Sequence, residues 1–171
     1  MKFTTKLLIF WASVFLIFLL GIIFVMTVFW DVKFNFWHIL VAFIINGVIP
    51  PAIITSFFYN RLEYMESEDD NPPTFTGLKS MELPFKARTS NPFDEMMQKV
   101  DRQYIISFSD RKNTILKFRT DTRMLSWGIG GYLKMIDDGK VKVYVYPVFK
   151  NSRREELVLN QTLRVLHSIF N

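Results

Sequence analysis

Basic and aromatic side chains recur at every second position in two stretches of the C-terminal half of the chain. Lys117 and Arg119 alternate with apolar residues in the first stretch, and Lys142 and Tyr144 alternate with valines in the second. Because successive side chains of a β-strand point to opposite faces, each stretch predicts a strand with one apolar and one polar face. We expect the polar face to lie open to solvent. Its chemistry suits a protein partner, a small anionic ligand or anionic lipid headgroups.

Few residue combinations in the chain could support catalysis or bind a metal. There is no cysteine, which excludes disulfides, thiolate chemistry and cysteine-ligated metals. His38 and His167 fall in different predicted domains, so they do not form a metal site, and a Ser126–His167–Asp121 triad has no supporting pattern. The glycine-rich run at 128–131 fits neither common phosphate-loop spacing and predicts a bulge or a close backbone approach in a strand. We therefore expect no enzymatic activity, no metal and no cofactor.

The C-terminal part of the chain is basic. Residues 79–171 contain 17 lysines and arginines against 10 aspartates and glutamates. A dedicated nucleic-acid binder combines such a charge with a recognisable motif, and this stretch has none, so we expect no nucleic-acid binding. An anionic membrane leaflet is the simpler partner, because each basic residue near its surface contributes about 1 kcal/mol.

Two apolar runs without charged residues occupy most of residues 1–60. The first, residues 7–30, would measure about 36 Å as a helix, against roughly 30 Å of hydrocarbon core in a bilayer. The second, residues 34–60, is of similar length. Since lipid offers no hydrogen-bond partner to the backbone, such runs must be helical. We predict an antiparallel transmembrane hairpin over residues 1–60, with helices at about 7–30 and 35–59.

The flanking charges predict the orientation of this hairpin. Lys2 and Lys6 precede the first helix without a small-residue cleavage site after it, which favours a retained anchor over a secretory signal. Together with Arg61 they outnumber Lys33, the only basic residue of the connecting loop. The positive-inside rule therefore places both termini and the C-terminal domain in the cytoplasm.

The second predicted helix contains polar and helix-breaking residues. Asn46 and Gly47 are followed by Pro50-Pro51, which predict a kink or local unwinding. This feature is either a hinge that moves during function or a static kink in which Asn46 bonds across the helix pair. No charged residue lies within either span, so we do not expect an ion-coupled transport mechanism.

A linker and a small domain follow the hairpin. Residues 61–90 are acidic and contain Pro72-Pro73, which predicts a mostly irregular linker over 68–90. Residues 91–171 predict an α+β domain whose first helix, at about 92–103, begins at Asn91. A Ser152–Glu155 capping box opens the last helix. The four predicted strands lie at about 104–108, 114–122, 125–136 and 141–147, with a turn at 137–139 between the last two. The predicted fold is helix, four-stranded antiparallel sheet, helix, with both helices on one face.

Three local features of this domain are similar to a known bacterial family. They are a Pro-Phe helix start at 92–93, a strand ending in Thr-Arg at 122–123, and a last helix with Asn160 and Arg164 before an apolar end. With them the chain resembles the helix–four-strand–helix domain of an uncharacterised family of small bacterial membrane-associated proteins. That family usually has a longer Arg/Ser-rich stretch where this chain has residues 146–149. The resemblance implies the fold and a bacterial inner membrane, and it implies no activity.

These observations favour a non-enzymatic integral membrane protein whose cytoplasmic domain binds a partner, either another protein or a second copy, or regulates a membrane complex. One alternative is a ligand-gated effector of bacterial defence. In it the domain binds a small anionic signal through Lys117, Arg119 or Lys142, and the helices oligomerise to breach the bilayer. A second alternative is a membrane-bound immunity protein that neutralises a toxin. The sequence leaves all three open.

Overall fold

The computed structural model describes residues 3–120, 128–136, 139–149 and 153–170. The predictions that involve Lys2, residues 121–127, Asp137-Asp138 or Ser152 concern residues outside these ranges. The chain divides into two compact units, Met1–Asn60 and Arg61–Asn171.

The first unit is helical. Helix α1 spans Phe3–Trp30 and helix α2 spans Phe36–Phe43. Helix α2 continues through a π-helical turn at Ile44–Val48 into α3, which spans Ile49–Glu66. Asn35 caps the start of α2, because its side-chain oxygen accepts a hydrogen bond from the backbone N–H of His38 at 2.9 Å. By length and composition, α1 and the continuous helix Phe36–Glu66 are each able to cross a membrane, and most of their large apolar side chains are exposed.

The π turn lies directly before Pro50-Pro51. Proline has no backbone N–H, and in an α-helix its ring collides with the carbonyl of residue i−4. Here these are the carbonyls of Asn46 and Gly47, which both belong to the π turn. In this turn the backbone N–H of Ile49 bonds to the carbonyl of Ile44, one residue further back than in an α-helix. The wider turn accommodates both rings and lets the helix continue into α3.

The second unit combines one antiparallel sheet with two helices. Its elements after α3 are β1 (Lys79–Pro84), α4 (Pro92–Asp101), β2 (Ile105–Asp110), β3 (Ile115–Arg119), β4 (Ile129–Ile136), β5 (Lys140–Pro147) and α5 (Arg153–Phe170). The strand order is β1-β5-β4-β3-β2, with every neighbouring pair antiparallel. Asn91 accepts a hydrogen bond from the backbone N–H of Asp94 and caps α4, as its sequence pattern predicts.

The prediction of four strands is wrong, because the described residues form a five-stranded sheet. The additional strand, β1, lies in the segment predicted to be an irregular linker, and it pairs with β5 from Lys79↔Val145 to Pro84↔Lys140. Its sequence, KSMELP, has no β-branched or aromatic residue, which removes the usual propensity signal. As an edge strand it also tolerates Pro84, which cannot donate a backbone hydrogen bond.

The main core lies between one face of the sheet and the two helices α4 and α5. Buried residues on this face are apolar and alternate along each strand, as the strand patterns predict. The sheet contributes Leu83, Leu116, Phe118, Ile129, Leu133, Val141, Val143 and Val145, and the helices contribute Phe93, Met96, Val100, Leu159, Leu166 and Phe170. The opposite face of the sheet carries the predicted polar residues.

Candidate functional site

Strand register places the four predicted site residues on the same face of the sheet. Lys117 pairs with Tyr132 on β4, and Tyr132 pairs with Tyr144 on β5, so these three side chains form one row across the sheet. Arg119 and Lys142 lie two residues away along their own strands and therefore project from the same face. This face is opposite the one that packs against α4 and α5.

The expectation that Lys117 is exposed is wrong. Its side chain is fully buried, at 0% relative exposure. The Lys117 ammonium donates hydrogen bonds to the backbone carbonyls of Tyr64 and Ser67, both at 2.9 Å, and reaches the Ser67 hydroxyl at 3.3 Å. These acceptors lie at the end of α3, where the last carbonyls of a helix have no partner within the helix. Lys117 is therefore a C-terminal cap for α3, contributed by the sheet.

Charged and aromatic groups surround the Lys117 ammonium. Its nitrogen lies 4.0 Å from the centroid of the Tyr64 ring and 5.3 Å from that of Phe108, close enough for cation–π attraction. Burial lowers the pKa of Lys117 to about 8, and the negative charges of Asp69 and Asp70 oppose that shift. The ammonium is thus held by carbonyl dipoles, ring faces and nearby carboxylates together.

Two further side chains of the sheet bind carbonyls of the same segment. The Ser107 hydroxyl donates to the carbonyl of Met65 at 2.6 Å, and the Tyr132 hydroxyl donates to that of Asp70 at 2.8 Å. Ser107 reaches α3 because the register of β2 shifts between Ile106 and Phe108, which marks a bulge. We call Ser107, Lys117 and Tyr132 the helix socket, since together they bind the end of α3 and the segment after it.

A close backbone approach at β4 completes the helix socket. A Cβ atom placed on Gly130 would lie 2.5 Å from both the Met65 Cε and the Tyr146 Cζ, and one on Gly131 would lie 2.0 Å from the Phe118 Cε1. The prediction of a close approach at the glycine-rich run is confirmed at both positions. Glycine at 130 leaves the space in which Met65 of α3 packs.

Arg61 and an aromatic cluster hold the start of this α3 segment within the second unit. The Arg61 guanidinium donates to the carbonyl of Pro147 and, at 3.1 Å, to that of Thr76, and it lies 5.4 Å from the Phe75 ring. The Phe75 ring is in turn 4.9 Å from that of Tyr146. Tyr146 is fully buried, its hydroxyl has no hydrogen-bond partner among the described residues, and burial raises its pKa well above the usual value.

The remaining predicted residues form the accessible part of this face. Arg119, Lys142 and Tyr144 are each half-buried, and the Lys142 ammonium lies 5.5 Å from the Tyr144 ring centroid. Lys134 is exposed and pairs directly with Lys142 across β4 and β5. Two like charges in such a position repel each other, and Glu82 of β1, which pairs with Lys142 on its other side, opposes only part of this repulsion. We call Arg119, Lys142, Tyr144 and Lys134 the accessible face.

The predicted residues of the second apolar helix lie in or next to the π turn. The Asn46 side chain donates to the carbonyl of Ala42 at 2.9 Å, so the hydrogen bond it makes stays within its own helix. Asn46 is exposed, whereas Gly47 is buried, Pro50 is half-buried and Pro51 is buried. The static alternative, in which Asn46 bonds across the helix pair, therefore differs from the contact observed.

Sequence reasoning identified the polar face and missed the residues that cover it. No sequence pattern pointed to Tyr64, Ser67 or Ser107. Tyr132 could have been predicted, because the predicted turn at 137–139 places it opposite Tyr144. In the described part of the chain, no group of three or more His, Asp or Glu residues could hold a metal ion. No family model matches the chain, and no curated protein matches it.

Proposed function

We propose that the chain is a non-enzymatic integral membrane protein whose α+β domain, in the cytoplasm, binds a protein partner and thereby regulates a membrane complex. Two helices of sufficient length and apolarity support the membrane part of this proposal. The basic residues Lys6 and Arg61, against Lys33 alone in the loop, support the orientation.

The observation that carries the proposal is the capping of α3 by Lys117. The helix begins at Ile49, within the second apolar segment, and ends at Glu66 on the sheet of the domain without a break. Its terminal carbonyls bind a buried ammonium rather than solvent. A displacement of β3 would therefore act on the end of α3, because the Lys117 side chain belongs to the strand and its ammonium binds the helix end.

The accessible face is the surface where we place the partner. It lies on the same side of the sheet as the helix socket, and Tyr132 links the two, since its ring is 5.8 Å from that of Tyr144 while its hydroxyl binds the carbonyl of Asp70. Binding at Lys142 and Tyr144 would therefore act on side chains that hold the segment after α3. Lys134 and Lys142 carry two positive charges against the one negative charge of Glu82, which pairs with Lys142 from β1. This net positive charge favours an acidic partner surface.

Photo-crosslinking in cells tests this function. A photoreactive phenylalanine in place of Tyr144, in the full chain, should give one adduct of defined mass, and Lys142→Glu in the same chain should reduce that adduct at least tenfold. Lys86→Glu is the matched control, because Lys86 is an exposed lysine of the same domain outside the accessible face. An adduct insensitive to Lys142→Glu, or turnover of a substrate by the purified protein, would overturn the proposal.

A further inference from the structure

Asn46 is a polar side chain in the middle of an apolar helical segment. It lies in the π turn, is exposed, and makes one hydrogen bond among the described residues, to the carbonyl of Ala42. Helix α1 contacts the same turn, yet Gly47 is the residue that is buried there. The amide of Asn46 therefore points away from the contacts available within the first unit.

The hydrogen-bonding capacity of this amide is only partly used. An asparagine amide has two N–H donors and a carbonyl acceptor, and the bond to Ala42 uses one donor. Asn46 lies about 15 Å along the helix from Phe36, which is about half of the roughly 30 Å hydrocarbon core. At that depth no water competes, so an unpaired donor and acceptor carry a desolvation cost that a neighbouring helix removes.

We propose that the protein forms a two-fold symmetric dimer in the membrane in which the Asn46 amides of two copies bond to each other. This inference rests on the proposed membrane function. Each amide offers the donor and the acceptor that the other lacks, so one reciprocal pair satisfies both. Two copies inserted with the same orientation place Asn46 at the same depth by symmetry, whereas an unrelated helix would need a polar residue that happens to match that depth.

Dilution of the full chain in lipid vesicles, followed by energy transfer between labelled copies, measures the dimer. We expect Asn46→Leu to weaken dimerisation about tenfold, the effect of one to two interhelical hydrogen bonds, and Asn46→Gln to restore it in part. Thr27→Val is the matched control, because the Thr27 hydroxyl already donates to the carbonyl of Ile23 at 2.8 Å within α1. It should leave the dimer unchanged.

Single cysteines locate the interface, since the chain has none of its own. Ile53 and Val48 are each 50% exposed, but helical geometry puts Ile53 near the side of Asn46 and Val48 on the opposite side. With copper phenanthroline as oxidant, Ile53→Cys should cross-link between copies and Val48→Cys should not. Equal cross-linking at both positions, or energy transfer unaffected by Asn46→Leu, would overturn the dimer.

Membrane extraction of the same samples separates this inference from the function on which it rests. If alkaline carbonate releases the wild-type protein from membranes, the integral membrane assignment fails and the dimer fails with it. If the protein resists extraction but remains monomeric at all lipid dilutions, the dimer alone is overturned. If Asn46→Leu resists extraction and loses energy transfer, the inference is supported.

Discussion

Lys117 combines two roles that are usually separate, since it is a buried charge and also a helix cap. Burying an ammonium costs free energy unless its protons are bound, and here three acceptors, two ring faces and two nearby carboxylates surround it. The last carbonyls of α3 in turn gain a donor that the helix cannot supply. The ammonium and the Ser67 carbonyl in particular satisfy each other, which ties the end of α3 to β3.

Replacing Lys117 by methionine, which keeps most of the length of the side chain and removes its ammonium, tests this pairing. Lys117→Met leaves the Ser67 carbonyl without its donor and the Tyr64 carbonyl with only the Ser67 hydroxyl, so we expect the free energy of unfolding to fall by about 2 kcal/mol. Lys112→Met, at an exposed position, should change it by less than about 0.5 kcal/mol. Denaturant unfolding of the full chain in detergent measures both, and equal stability of the two variants would contradict the capping role.

The pKa of Lys117 predicts how this stabilisation depends on pH. Burial lowers the pKa from 10.5 to about 8, so between these values the unfolded chain binds a proton that the folded domain has lost. The free energy of unfolding of the wild type, relative to Lys117→Met, should therefore rise as the pH increases from about 8 towards 10. The neutral amine still has two N–H groups for the two carbonyls.

The groups that face Lys117 do not change their own charge in this pH range, so they do not contribute to the predicted change in stability. The hydrogen bond from the Asn71 backbone lowers the pKa of Asp69, which stays ionised across this pH range. Burial raises the pKa of Tyr64 and that of Tyr132 above the ordinary value of 10, so both phenols stay protonated. The free energy of unfolding of the wild type and of Lys117→Met, measured at intervals between pH 7 and pH 10, tests this prediction. A difference between wild type and variant that is constant or that falls would show that the ammonium is not desolvated.

At the residue scale, alternation along a strand predicts which side chains share a face but not what covers that face. The pattern of Lys117 and Arg119 correctly separated them from Leu116 and Phe118. It could not show that the end of α3 lies over Lys117, because that contact joins residues about fifty positions apart in the sequence. Local periodicity carries no information on such a contact.

Among the elements, α3 and β4 fit together because a glycine lies where they meet. The bounds of helices and strands with strong periodicity were predicted to within a few residues. For α4, the cap residue Asn91 predicted where the helix begins. The strand β1 was missed, since KSMELP lacks β-branched residues and depends on β5 for its hydrogen bonds. The glycine-rich run predicted a bulge or a close approach, and the structure shows the close approach, which requires the absence of a Cβ atom.

Gly130→Ala tests the packing of α3 against β4. The new Cβ would lie 2.5 Å from the Met65 Cε and the Tyr146 Cζ, so we expect a loss of about 1–3 kcal/mol of stability and faster amide exchange over residues 62–70. Adding Met65→Ala should recover part of the protection, because it removes one of the two clashes. Gly21→Ala is the control, since nothing lies within 4 Å of its Cβ position. Exchange unchanged by Gly130→Ala would exclude the close approach.

For the molecule as a whole, the division of charge matters more than its total. The apolar segments are free of charge, five carboxylates occupy residues 62–73, and the domain is basic. The acidic stretch is repelled by anionic headgroups while the basic domain is attracted. The distribution of charge along the sequence thus predicts a membrane segment followed by a separate domain. It cannot identify the partner, which depends on the shape of the accessible face.

The few basic residues near the apolar segments predict the orientation of the whole chain, and reporter fusions test this prediction. Lys2, Lys6 and Arg61 outnumber Lys33 and resist translocation, so we expect the C-terminus in the cytoplasm. After Asn171, a reporter that is active only in the cytoplasm should therefore give a signal, and one that is active only in the periplasm should not. Moving charge to the loop with Val32→Lys, while replacing Lys2 and Lys6 by glutamine, should shift part of the population to the opposite orientation.

A lysine added far from the membrane controls for charge alone in this test. Gln161→Lys, at an exposed position of α5, adds the same charge as Val32→Lys but lies well beyond the 15–20 residues over which the rule acts. It should leave the cytoplasmic reporter signal unchanged. A periplasmic signal from the wild-type fusion would reverse the orientation and place the accessible face on the other side of the membrane, where a cytoplasmic partner could not reach it.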